Sequence, residues 1–160
     1  MPGIVGMIRS ETLDESGGDL RKMIERMRHE SFYVSGHYEN RTVGLSLGWM
    51  ALDDRAEASM FAESDDLCVL LTGELFLDGS TQAGDDSDGT DAGHAAFVLR
   101  QYRHEGIDCI KKLNGTFSGV LLDSRKKRTV LFNDRYGQGR IYWHRTQGQF
   151  CFASEAKALM

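Results

Sequence analysis

The only proline of this chain is Pro2, which follows the start methionine and precedes the small, aliphatic run Gly3 to Ile8. Removal of Met1 makes position 2 the N-terminus. A first-residue Cys, Ser or Thr at such a place attacks a carbonyl carbon and uses its own α-amine as base. Pro2 has neither thiol nor hydroxyl, so that chemistry lacks its attacking atom. Once exposed, Pro2 offers a secondary amine instead, able to act as a general base or to form an iminium with a carbonyl substrate. Retention of Met1 would end that option.

The remaining reactive residue types are scattered. Cys68, Cys109 and Cys151 are odd in number, far apart and outside any CxxC pair. They read as free thiols of a reducing, cytoplasmic location, with Cys68 and Cys151 as small hydrophobes in strand-like stretches. His94 and His104 share a helix-like segment without i, i+4 spacing or a carboxylate cluster, so no metal is expected. Ser16-Gly17-Gly18-Asp19 reads as a turn and helix cap, and Gly137-Gln138-Gly139 is too short for a phosphate-binding fingerprint. The net charge of -5 argues against the basic face that nucleic acid demands. The basic run Arg125 to Arg128 reads as a solvated hairpin tip. No apolar run is long enough to span a bilayer and no basic leader precedes the first one, so neither nucleic acid nor membrane is an expected partner.

These residues need elements to position them. Gly3 to Ile8 fits a buried strand. Asp19 caps a helix with Leu20, Met23, Ile24 and Met27 on one face, ending near His29. Thr42 to Leu52 is strand-like, and Leu67 to Leu71 reads as a strand buried on both faces, with Leu75 and Phe76 following a break at Gly73. Gly79 to Gly89, rich in Gly, Asp and Ser, predicts a mobile loop. Thr90 or Asp91 caps a second helix with Ala95, Val98, Leu99 and Tyr102 as its buried stripe, closed by Gly106. Phe117 to Leu122 and Thr129 to Phe132 form a hairpin, Ile141 to His144 and Phe150 to Phe152 a second pair, and Ser154 caps a short helix from Glu155 to Leu159. The pattern predicts one α+β domain with largely antiparallel sheets.

Several separated segments resemble the glutaminase domain of asparagine synthetases, the class II glutamine amidotransferases. MPGIVGMI is similar to the family's start, where Met-Cys-Gly-Ile-Val-Gly is usual. LTGELF, from Leu71 to Phe76, resembles the Asn-Gly-Glu-Ile-Tyr strand end. GTDAGHAAFVLRQYRHEG resembles the segment where a Thr/Ser-Asp pair opens a helix. LNGTFSGVLLDSRKKRTVLFNDRYGQGRIYW resembles the stretch from Leu-Asn-Gly-X-Phe to an Asp-Arg-X-Gly turn, and FASEAKAL the closing Phe-Ala-Ser-Glu helix. The order is kept along the whole chain. The resemblance implies an Ntn-hydrolase-like αββα sandwich, two largely antiparallel sheets flanked by helices. It also implies a single domain over residues 1–160, as the N-terminal part of a longer asparagine-synthetase-like protein.

The resemblance assigns roles by position. Pro2 stands where the family's nucleophilic cysteine attacks the side-chain amide of glutamine. Thr72 stands for an Asn whose side chain donates to the oxyanion, and Gly73 for the adjacent amide donor. Losing one such donor typically costs about 10²–10³ in rate. Glu74 matches the next family residue, and Asp91 the aspartate that binds the substrate α-amine. Trp49 aligns with the arginine that binds the substrate carboxylate, a bidentate partner that tryptophan cannot replace. HESFY, from His29 to Tyr33, departs from the family's His-Arg-Gly-Pro-Asp segment. Nucleophile, oxyanion donor and carboxylate clamp are thus changed together.

The expectation is an amidotransferase-like domain without glutaminase activity, structural or regulatory for an amidotransferring synthetase domain in cis or in trans. That synthetase, a ligase of asparagine-type biosynthesis, would take free ammonia or another amine. No cofactor is expected in this domain, since ATP and Mg belong to the separate synthetase domain. Two alternatives stay open: a working glutamine-hydrolysing domain that supplies ammonia for asparagine or amide synthesis, and an enzyme that uses the Pro2 amine. Glutamine binding stays open, as does the choice between monomer and homodimer.

Overall fold

The computed structural model describes residues 2–9, 16–76 and 93–160. The expected mobile loop from Gly79 to Gly89, and Asp91 with it, lie outside them. The first strand, β1 (Gly3–Arg9), is central to a five-stranded antiparallel sheet. Its neighbours are β3 (Leu45–Ala51) on one side and β9 (Gln149–Ala153) on the other. β2 (Val34–Asn40) and β8 (Tyr142–Thr146) are the edges of this sheet. A second antiparallel sheet runs in the order β4 (Phe61–Ser64), β5 (Leu67–Leu75), β6 (Gly115–Asp123), β7 (Arg128–Asn133). Among the described residues the α-helices are α1 (Ser16–Met27), α2 (Asp54–Met60), α3 (His94–Glu105) and α4 (Cys109–Lys112). The result is an α+β sandwich of two antiparallel sheets, consistent with an Ntn-hydrolase-like fold.

Two-residue periodicity explains the layering. Ile4 of β1, Leu45, Leu47 and Trp49 of β3, and Phe152 of β9 meet Cys68 and Leu70 of β5 and Val120 and Leu122 of β6 between the sheets. The alternate residues face outward. Val5, Met7 and Met50 receive Leu20, Met23, Ile24 and Met27 of α1. Val69, Leu71 and Leu121 receive Ala95, Val98, Leu99 and Tyr102 of α3. The run from Cys68 to Leu71 is therefore buried on both faces, as its composition predicts.

Several local expectations are corrected. α1 begins at Ser16, so Asp19 lies in its first turn and pairs with Arg9 at 2.6 Å rather than capping the helix. Thr42 to Gly44 turn the chain before β3. β5 passes through Gly73 unbroken. α3 has Gly93 at its N-cap, and the Ser59 hydroxyl accepts the His94 N–H at 3.2 Å; Thr90 and Asp91, the expected caps, lie outside the described residues. The closing segment Ala156–Leu159 is a 3-10 helix capped by Glu155, and Ser154 is engaged elsewhere. β2, α2, β4 and α4 have no counterpart in the sequence reading. The cap of α2 is readable in retrospect: Asp53 accepts the Ala56 N–H at 2.8 Å, a contact of about 1 kcal/mol.

Candidate active site

β1 delivers residue 2 to one end of the sandwich from an anchored base. The Ile4 N–H donates to Ser154 Oγ at 3.0 Å, and the Ser154 N–H returns to the Ile4 carbonyl at 2.8 Å. Gly3 pairs with Met50, and a Cβ on Gly3 would lie 2.3 Å from Ser154 Oγ. Pro2 is half-buried, immediately before this clasp. Beside it, His29 at the end of α1 meets Glu155 at 3.0 Å, and Lys157 reaches the His29 ring at 3.0 Å.

The C-terminal half of β5 lies at the same end. At the opposite end, the Asn40 amide donates to the Ser124 hydroxyl at 3.2 Å, joining the two sheets. Asn40 pairs with Leu45, and Leu45 with Ile8, while Ser124 follows the pair Asp123 and Leu67. The end of β1 thus lies near the start of β5, and the start of β1 near the end of β5. Thr72 is half-buried there, and Gly73 and Glu74 are exposed.

This end of β5 is built on glycine. Gly73 has φ +105°, and a Cβ on it would lie 2.1 Å from the Thr116 carbonyl oxygen. Opposite it, Gly115 has φ +144°, and its Cβ would lie 2.1 Å from the Glu74 carbonyl oxygen. A third segment docks on the pair, since a Cβ on Gly139 would lie 2.0 Å from the Phe117 carbonyl oxygen. Asp134 shapes that segment. Its carboxylate accepts the N–H groups of Tyr136 at 2.9 Å, Gln138 at 3.1 Å and Gly139 at 2.5 Å, and its own N–H donates to the Phe117 carbonyl. Burial opposes its ionisation, but the N–H groups outweigh burial and hold the carboxyl below its ordinary value.

Trp49 occupies a place of a different kind. It pairs with Ile4 on one side and Gly36 on the other, in the core between the sheets. Its ring stacks on Phe61 at 4.9 Å and 11°, and its indole N–H donates to Glu57 Oε1 at 3.1 Å. Gly36 is required beneath the ring, since a Cβ there would lie 2.2 Å from it.

Of the residues singled out in the sequence, Pro2, Trp49, Thr72, Gly73 and Glu74 lie toward one end of the sandwich; Asp91 is outside the described residues. Ser154, Glu57 and Asp134 were not singled out as site residues. Asp134 had a visible signal in its Asp-Arg-Tyr-Gly-Gln-Gly run, where glycines follow an acceptor. No cysteine stands in for the missing nucleophile. Cys68 belongs to the opposite end, where burial, with Glu63, pushes its thiol up to about 12. Cys109 is buried at the start of α4, and Cys151 faces outward on β9, its thiol also raised by burial.

The model of a family described as the glutamine amidotransferase domain matches residues 1–160. The chain belongs to that family. It is 22% identical to a putative glutamine-hydrolysing asparagine synthetase 2 of Methanocaldococcus jannaschii, over 100% of this chain and 35% of that protein. Glutamine-hydrolysing asparagine synthetase 1 of Arabidopsis thaliana is 28% identical over 86% of this chain and 24% of its own length. The amidase chyE of Penicillium rubens is 21% identical over 95% of this chain and 24% of its own length. The amidotransferase-like domain thus spans about a quarter to a third of these relatives. No described helix is long and apolar enough to cross a membrane.

Proposed function

We propose that this amidotransferase domain does not hydrolyse glutamine and serves as a structural or regulatory partner of an amide-forming synthetase domain, in cis or in trans. The arrangement around Trp49 carries the reading. At the position that the resemblance gives to the carboxylate-binding arginine stands an indole held by Glu57 and Phe61. A carboxylate brought beside Glu57 in a low-dielectric core is repelled, not clamped. Pro2 adds an independent loss, because residue 2, just before β1, carries neither thiol nor hydroxyl. Thr72 adds a third, offering a shorter donor than an amide side chain. ATP and magnesium would belong to the synthetase part, whose nitrogen donor would be free ammonia or another amine.

Ammonia release from glutamine by the Pro2→Cys variant tests this. The expected result is no turnover above the unaltered chain and no covalent adduct with an electrophilic glutamine analogue at residue 2. Turnover, or a stoichiometric adduct, would show a working pocket and end the proposal. Calorimetry with glutamine gives a second reading, since micromolar affinity is incompatible with a missing carboxylate clamp.

A further inference from the structure

The outer face of the five-stranded sheet, on the α1 side, carries a row of soft donors that this function does not use. β1, β9 and β8 are adjacent in that order. Met7 pairs with Cys151, and Cys151 pairs with His144. Directly opposed residues of antiparallel strands share a face, with Cβ atoms about 4.5–5.5 Å apart. A thioether, a thiol and an imidazole therefore stand side by side across three strands, on the face turned away from the second sheet. Exposure rises along the row: Met7 is buried, Cys151 is half-buried and His144 is exposed. All three line one cavity of about 340 Å³.

The two sulfurs share a partner. Gln149 Nε2 donates to Cys151 Sγ at 3.1 Å and to Met7 Sδ at 3.8 Å. Both sulfurs thus turn a lone pair toward one amide nitrogen at the wall of the same cavity, and a lone pair that accepts an N–H is open to a cation. The ligand types choose the ion. Thiolate and thioether favour copper(I), and imidazole suits copper as well. The surrounding charge favours a single positive charge. Lys22 and Arg26 also line the cavity, and its one carboxylate, Asp19, is held by Arg9 at 2.6 Å. A monovalent ion on one thiolate is neutral beside those cations, whereas a divalent ion would keep a charge that they repel. No three His, Cys, Asp or Glu side chains converge among the described residues, as a harder ion would require.

We propose that Cys151, Met7 and His144 form a copper(I) site, with Sγ, Sδ and one ring nitrogen as its ligands. On binding, the Cys151 thiol releases its proton to solvent and a copper–sulfur bond takes its place, while copper stays monovalent throughout. The Gln149 amide gives up both sulfurs to the metal. Met7 is far from the other two ligands along the chain, so only the register of β1, β9 and β8 assembles the set.

The full chain is titrated anaerobically with copper(I) in competition with bicinchoninate, and X-ray absorption reads the ligands. One equivalent should be held against the chelator, with two sulfurs and one nitrogen around copper. The melting temperature should rise, since the metal binds only the folded arrangement of three strands. Cys151→Ser, Met7→Leu and His144→Ala should each weaken binding at least about tenfold, the lower end of what losing even an outer-shell partner costs. His144→Ala removes only an exposed side chain, which keeps the test decisive if Met7→Leu disturbs the core. Cys109→Ser should bind copper unchanged. No retained equivalent, or unchanged affinity in Cys151→Ser, overturns the proposal. Unchanged affinity in both Met7→Leu and His144→Ala overturns it in favour of a thiol acting alone. Zinc held as tightly as copper(I) overturns it in favour of a harder ion.

Discussion

Replacing Gly73 by alanine probes the end of β5 that faces the Pro2 side. Two penalties act together. At φ +105° an L side chain is strained, which costs about 1–3 kcal/mol. The new Cβ would also lie 2.1 Å from the Thr116 carbonyl oxygen and 2.8 Å from the Phe117 Cα, both backbone atoms. β5 and β6 must part locally to accept it, giving a total of about 3–5 kcal/mol with the lost strand pairing. For a domain of this size that lowers the melting temperature by about 10 °C. Gly106→Ala separates the two penalties, since Gly106 has φ +67° and no heavy atom within 4 Å of its added Cβ. Its cost is the conformational one alone, about 1–2 kcal/mol, or about 4 °C. Thermal unfolding followed by circular dichroism compares the two variants. Equal melting temperatures would refute the close approach of β5 and β6, and with it the geometry assigned to Thr72 to Glu74.

Three further outcomes follow from other contacts. Asp134→Asn should lose about 1.5–3 kcal/mol near neutral pH by urea unfolding, because three N–H groups lose a charged acceptor. The folded carboxyl titrates below its ordinary 3.8, so its contribution is complete above that pH and lost as pH falls through the folded value. The gap between Asp134→Asn and the unaltered chain should therefore narrow in acid, and a constant gap would contradict the assignment. Trp49→Ala should cost about 3–5 kcal/mol with the urea slope unchanged, whereas an exposed, ligand-facing tryptophan would cost far less. Cys68 should resist thiol reagents at pH 8 until the chain unfolds, given a thiol pushed up to about 12; mass-mapped labelling in the folded state would contradict its burial.

The parts of the fold that sequence reveals are those where one residue property decides the outcome. β1 and β5 are legible because consecutive aliphatics can only be buried on both faces, and α1 and α3 because their apolar stripes recur at helical spacing. β2 alternates cleanly in burial, but Gly36 and Asn40 occupy two of its inner positions, so hydrophobicity does not display the period. Gly36 is there because the Trp49 ring lies over it, a requirement set by a residue on another strand. Gly73 was legible as a conformational exception but not as one inside a continuous strand, since its φ is fixed by the approach of β6. Ser154 looks like a cap by position, yet its hydroxyl serves Ile4, far away in sequence. The site positions came from a resemblance of motifs. The Glu57 contact that gives Trp49 its meaning depends on α2, a helix too short for a periodic signal.

The clasp between Ile4 and Ser154 spans 150 positions along the chain. During synthesis β1 must wait for β3 and then for β9 before it is held on both sides, although it is made before either. Until the last strand emerges, its aliphatic faces have no permanent neighbours. Residue 2 is thus made before the strands that fix its neighbours, and a nascent chain lacking β9 would expose β1 to chaperones.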